Sequence, residues 1–127
     1  MIVIDTHILL WWATSPHLLS TMADETVTNA DTVAVSAITA WEIAVLHRRR
    51  RIKIARDPRP WMRDLEETRG LRILPVTIDI GIRAADLHEV LRDPIDSIIA
   101  ASALTHGVPL VTKDERIQRS GVVATIW

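Results

Sequence analysis

The chain has no cysteine, no phenylalanine and no tyrosine among its 127 residues, and only 4 glycines. Without cysteine there is neither a disulfide framework nor a thiolate metal site. No apolar stretch approaches the roughly 20 residues that a membrane-spanning helix needs. No basic segment of a secretory signal precedes the first apolar run, because Met1 leads straight into Ile2-Val3-Ile4. A membrane role is therefore not expected, and a cytosolic location fits. Net charge is only −1, so the whole molecule is not a basic nucleic-acid binder. Several chemistries lack their motifs: there is no G-x-x-x-x-G-K-[ST], no G-x-G-x-x-G, no H-E-x-x-H among the 5 histidines and no serine in a nucleophile elbow.

The charge that is present is unevenly placed. Residues 48 to 59 hold seven basic side chains (Arg48, Arg49, Arg50, Arg51, Lys53, Arg56 and Arg59) against Asp57 alone, a local +6 that leaves −7 on the remainder. Arginine, at thirteen to two over lysine, suits bidentate phosphate contact. A cationic helix end facing solvent and complementing the helix dipole explains the same run equally well. The 48% hydrophobic and 24% charged fractions are those of an ordinary globular chain with one core, so a single domain over residues 1–127 is expected.

Short β-branched runs alternate with longer runs of helical period, the pattern of an α/β fold with a parallel sheet. The expected strands are Ile2 to Ile4, Val33 to Ser36, Arg72 to Val76, Leu110 to Thr112 and Val122 to Ile126. The expected helices run over His7 to Ala13, His17 to Asn29, Ala37 to Arg50, Arg59 to Arg69, Ile78 to Leu87 and Ile95 to His106, with a short turn from Asp114 to Arg119. Gly70, Gly107 and Gly121 follow helical runs, where left-handed C-caps are expected. Trp41 is expected in core or edge packing. Trp11 and Trp12, about 100° apart on a helix, cannot both face one core, so at least one meets a partner or lines a cleft.

Four acids stand where apolar runs break. Asp5 closes the first strand and has the position of a helix N-cap. Glu42 shares a helix face with Ile38, Val45 and Leu46, so its carboxylate needs a proton, an arginine or a metal cation to be buried there. Asp93-Pro94-Ile95-Asp96 reads as a helix start, with Asp93 the cap and Asp96 in the first turn. Asp114 follows Val111-Thr112-Lys113 and also reads as a cap. Acids at strand ends and helix starts of a parallel sheet meet in one cleft, where a divalent cation would relieve their repulsion. Thr6, Ser36 and Thr112 are candidates to support them.

In sequence order, Ile2-Val-Ile-Asp5-Thr6-His7, the Glu42 helix, Arg92-Asp-Pro-Ile-Asp96-Ser-Ile-Ile-Ala-Ala-Ser-Ala and Leu110-Val-Thr-Lys-Asp114-Glu-Arg resemble a PIN-domain ribonuclease, and more narrowly the VapC-type toxins of bacterial toxin–antitoxin pairs. The likeness runs from the first strand to the last. It implies a three-layer α/β/α fold around a parallel sheet of four to five strands in the order 3-2-1-4-5. It implies Mg²⁺ or Mn²⁺ held by carboxylates at Asp5, Glu42, Asp96 and Asp114, with Asp5 and Asp96 the leading ligands. It also implies cleavage of RNA (tRNA among the candidate substrates), a homodimer, and inhibition by a small cognate antitoxin. Arg48, Arg49, Arg50, Arg51 and Lys53 are then candidates for RNA contact. The family commonly carries Phe and Arg around the third acid, where this chain has Ile95 and Ser97. The competing reading is a non-catalytic RNA- or protein-binding module on a degenerate PIN scaffold. A phospho-receiver domain fits less well, because Pro75-Val76-Thr77 stands where its accepting aspartate would follow the third strand.

Overall fold

Strand pairing decides where the acids meet. In a computed structural model describing residues 1–127, the five strands are β1 (Ile2–Ile4), β2 (Val33–Ser36), β3 (Arg72–Leu74), β4 (Leu110–Val111) and β5 (Thr125–Ile126). They form one parallel sheet in the order β3-β2-β1-β4-β5. The helices are α1 (Thr6–Thr14), α2 (Thr21–Asn29), α3 (Ile38–Arg48), α4 (Pro58–Arg69), α5 (Ile78–Leu91), α6 (Pro94–His106) and α7 (Glu115–Ser120).

Alternation along each strand sends neighbouring side chains to opposite faces, and two cores result. Ile2, Ile4, Val33, Val35 and Val111 pack with side chains of α1, α2, α3 and α4. Val3, Ala34 and Leu110 pack with Leu91 of α5, Ile99, Ala100 and Ala103 of α6, and Ile117 of α7. The result is three layers, α/β/α, as the resemblance implies. Between β1 and β4 the strand order reverses direction, which opens a crevice at the carboxyl edge of the sheet. Ile4 pairs with Val111, and Asp5 continues the ladder by donating its N–H to the Val111 carbonyl at 3.0 Å. Register alone thus sets Asp5 beside Thr112.

Small side chains let α6 lie directly on the sheet. Ala100, Ala101, Ser102 and Ala103 are all buried, and the Ser102 and Ser36 hydroxyls pair at 3.1 Å beneath the helix. Gly70, Gly107 and Gly121 end α4, α6 and α7 with φ of 65°, 65° and 66°, as expected for left-handed caps.

Several boundaries differ from expectation. The run from His17 to Asn29 is not one helix: a 3-10 turn spans Pro16–Leu18, and α2 begins at Thr21. The cause is Ser20, whose hydroxyl accepts the Ala23 N–H at 3.1 Å and starts a new helix. The third and fifth strands stop short of Val76 and start beyond Val122, because no strand pairing extends past Leu74 or before Thr125. Helix α3 ends at Arg48, and Arg50 turns to φ 55°. Trp41 is not a core residue: it is 56% exposed. The buried positions of α3 are Thr39 and Ile43. Trp41 lies two residues from each, about 200° round the helix, and so points outward.

Because α6 sits flush on the strands, Ala100→Leu is expected to destabilise the fold by about 1–3 kcal/mol through overpacking. Urea denaturation reads this as a lower midpoint. An unchanged midpoint would mean that the helix is free to shift away from the sheet.

Candidate active site

The site is assembled from helix starts. Asp5 caps α1, its Oδ1 accepting the Thr6 N–H at 2.5 Å, while Oδ2 accepts the Thr112 hydroxyl at 2.8 Å. Thr112 in turn accepts the Asp114 N–H at 3.0 Å. Asp114 caps α7 through Oδ1, which takes the Arg116 and Ile117 N–H groups at 2.8 and 3.2 Å. Asp93 caps α6 through the Ile95 and Asp96 N–H groups at 2.9 and 3.0 Å. This confirms Asp93 as the cap and leaves the Asp96 carboxylate free of that duty. Thr6, one residue along α1, donates its hydroxyl to Glu42 Oε2 at 2.5 Å. Three helix N-termini therefore aim their positive dipole ends at one place, which partly offsets the carboxylate charge.

That place is a cleft of about 520 Å³ whose walls include Asp5, Glu42, Asp93, Asp96 and Asp114. All four predicted acids line it, and Asp93 joins them. Thr6 and Thr112 bond directly to two of the acids. Ser36 does not: it is fully buried under α6, paired with Ser102, and touches none of the carboxylates. The basic run is also set apart. Arg48 and Arg50 line a separate groove of about 1050 Å³ between α3 and α4, together with Arg59 and Arg63. Six residues separate Glu42 from Arg48, roughly 9 Å along the axis and about 120° round it. Arg49, Arg51 and Lys53 are exposed and line neither cavity.

Crowding shows in the acidities. Burial pushes the Asp5 carboxyl up, against the opposing pull of the Thr112 hydroxyl, the His7 charge and the Thr6 N–H. Burial likewise raises Glu42, with the Asp5 charge adding to it and the Thr6 hydroxyl resisting. Asp96 rises from 3.8 to about 7, through burial first and then repulsion from Asp93, Asp5 and Asp114. Asp114 moves the other way. Its burial is outweighed by the Arg116 hydrogen bond and charge and by the Ile117 and Arg116 N–H groups, so it is lowered.

Arg116 is a residue that sequence reasoning missed. Its Nη2 bridges Asp96 Oδ2 and Asp114 Oδ2, each at 3.1 Å. The Asp114 hydrogen bond and the two negative charges raise the guanidinium pKa in return. The chain shows Arg116 two residues past Asp114, but its reach to Asp96 depends on how α7 packs beside α6. Where the resembling family commonly carries an arginine next to the third acid, Ser97 here is buried and donates its hydroxyl to the Asp93 carbonyl at 2.6 Å. The cation beside Asp96 comes from α7 instead. His7, Trp11 and Lys113 also line the cleft.

Every acidic donor in the cleft is a carboxylate oxygen, the ligand type that Mg²⁺ and Mn²⁺ favour. Glu42 Oε1 and Asp96 Oδ1 carry no protein hydrogen bond. In donor chemistry the residues fit a hard divalent ion. Their side chains stand spread, however, and no three acids lie together at metal-ligand spacing.

A carboxylic acid whose folded pKa lies above its unfolded value binds its proton more tightly in the fold. Its neighbourhood therefore costs stability as pH rises through the interval between the two values. For Asp96 the interval runs from 3.8 to about 7. Without divalent ions, Asp96→Asn should match the wild type in stability near pH 4 and exceed it at pH 8. Thermal melts at both pH values check this. A wild type as stable as the variant at pH 8 would show that Asp96 is not strained.

Residues 2–122 match the PIN domain family. The chain is 34% identical over 129 residues to Ribonuclease VapC22 of Mycobacterium tuberculosis, covering 99% of this chain and 98% of that protein. Among solved structures it is similar to DNA-bound VapBC from Salmonella typhimurium, with a TM-score of 0.70 at 18% identity over 98% of this chain and 97% of that one. It is also similar to FitAcB from Neisseria gonorrhoeae, with a TM-score of 0.68 at 20% identity over 98% of this chain and 96% of that one. Likenesses at such identity speak for the fold, while the match over residues 2–122 and the 34% relative speak for descent. On both counts the chain belongs to the PIN-domain family, homologous to the VapC toxins of toxin–antitoxin systems.

Proposed function

We propose that the chain is a metal-dependent endoribonuclease that hydrolyses RNA phosphodiester bonds as the toxin of a toxin–antitoxin pair, acting as one domain. The observation that carries this reading is the meeting of Asp5, Glu42, Asp96 and Asp114 in one cleft at the β1/β4 edge. The ribonuclease name of the 34% identical relative supports it.

In this reading Asp5 and Asp96 are the principal ligands of Mg²⁺ or Mn²⁺, with Glu42 and Asp114 completing the set directly or through water. The ion would supply Lewis acidity toward the phosphate and a water of lowered pKa. The chain supplies the rest. Thr112 holds the Asp5 carboxylate and Thr6 that of Glu42, and both residues line the cleft. The open Oε1 of Glu42 orients the attacking water. Arg116 offsets part of the charge of Asp96 and Asp114, which lowers the repulsion that an incoming phosphate meets. Arg48, Arg49, Arg50, Arg51 and Lys53, outside the acidic cleft at and beyond the end of α3, hold RNA phosphates. A small antitoxin would inhibit by bringing a basic side chain to the carboxylates, and the toxin acts as a homodimer.

Cleavage of a mixed RNA pool by the purified protein should require Mg²⁺ or Mn²⁺, stop with EDTA and resume with excess Mn²⁺. Asp5→Asn keeps the Thr6 cap and should lower the rate at least about 100-fold, more than the loss of a supporting residue costs, with an unchanged circular dichroism spectrum. RNA that binds but is never cut, under any divalent ion, would establish the non-catalytic module instead. Cleavage that persists in EDTA would remove the metal from the account.

A further inference from the structure

Lys113 is a lysine on the wall of an acidic cleft that forms no ion pair. It lines the cleft together with Asp5, Asp96 and Asp114, yet none of the ion pairs of the fold includes it. Its ammonium lies instead over two indoles, 5.4 Å from the Trp11 ring and 5.7 Å from the Trp127 ring. Both distances fall in the range of cation–π attraction. The indoles pack on each other at 5.8 Å and 51°. They arrive from different elements, Trp11 from α1 and Trp127 from just after β5, and both are only partly buried. Trp11 is itself part of the cleft wall.

An unrestrained lysine beside carboxylates would swing onto one of them, since an ammonium is a compact charge on a flexible stem. Here the stem is held by aromatic faces, which attract the cation without neutralising it or taking up its role as an N–H donor. The lysine next in sequence to Thr112, the hydroxyl partner of Asp5, thus keeps its positive charge for an outside anion. Arg116, by contrast, is already bound to Asp96 and Asp114. Resting on the nuclease reading above, we propose that Lys113 contacts a phosphate of the RNA backbone where it enters the acidic cleft. Trp11 and Trp127 are the positioning residues that hold Lys113 off the carboxylates. The chemistry this selects is a phosphodiester backbone rather than any particular base, because a point charge on a phosphate carries no sequence information.

The test is the binding of a fluorescein-labelled single-stranded RNA of mixed sequence to the full chain, followed by anisotropy over a range of KCl. Ca²⁺ replaces Mg²⁺, and gels verify that the RNA stays intact. Lys113→Met keeps the apolar stem on the indoles and removes the charge. It should weaken binding and reduce the slope of log K against log[KCl] by about 0.7, the loss of one phosphate contact on a single strand. Lys113→Arg should restore the slope. Trp127→Leu keeps the lysine but frees it, and should weaken binding several-fold while a thermal melt stays cooperative. If the wild type binds and Lys113→Met shows the same affinity and slope, Lys113 makes no phosphate contact and only this inference falls. If the wild type binds no RNA, the nuclease reading falls with it.

Discussion

Like charges held close together are the constraint on which the site depends. Unit charges of like sign repel across a site of low effective dielectric constant, and this cleft is lined by six acidic side chains. The fold fixes where three of them sit, because the carboxylates of Asp5, Asp93 and Asp114 serve as helix caps. Asp5 and Asp114 follow adjacent strands and cap the next helices, Asp93 caps α6, and Asp96 lies in the first turn that Asp93 starts. The same bonds that begin three helices bring their negative charges together. Positive charge has to compensate: helix dipoles and the Arg116 guanidinium supply part of it, and in the proposed reading a divalent ion, for which the oxygen donors are suited, would supply the rest.

Much of this was legible in the sequence because it follows from local chemistry. Period and branching marked the strands, and β1 and β2 match the expected runs residue for residue. Pro94 after Asp93 announced an N-cap, and the three glycines announced helix ends. Glu42 stood out because it lay among Ile38, Val45 and Leu46, and the structure gives it a threonine rather than an arginine as partner. What failed needed information from outside its own segment. Trp41 looked like core by residue type, but the facing of α3 is set by Thr39 and Ile43 against the rest of the domain. Ser36 seemed placed for the cleft at the end of β2, yet the pleat turns its hydroxyl under α6.

Arg116 and Lys113 show the same limit on the functional side. They are three residues apart, one to each side of Asp114, and their local sequence gives no reason to separate their roles. Packing separates them: α7 turns Arg116 onto Asp96, while β5 delivers Trp127 to hold Lys113 away. One cation is committed to the acids and the other is kept from them. The basic run of residues 48 to 53 is a third arrangement, starting at the last residue of α3, with Arg48 and Arg50 beside a larger groove and Arg49, Arg51 and Lys53 exposed. Charge counted along the chain therefore gives no guide to charge at the site.

In the proposed reading a divalent ion joins side chains distant in sequence. Diffraction from crystals grown with Mn²⁺, collected at the manganese edge, tests it most directly. The account predicts an anomalous peak inside the cleft, with Asp5 and Asp96 oxygens at about 2.0–2.3 Å, near the distances of hard divalent ions. It also predicts Arg116 withdrawn from at least one of its two carboxylates. A cleft without a peak under saturating Mn²⁺, with Arg116 still bridging Asp96 and Asp114, would contradict it.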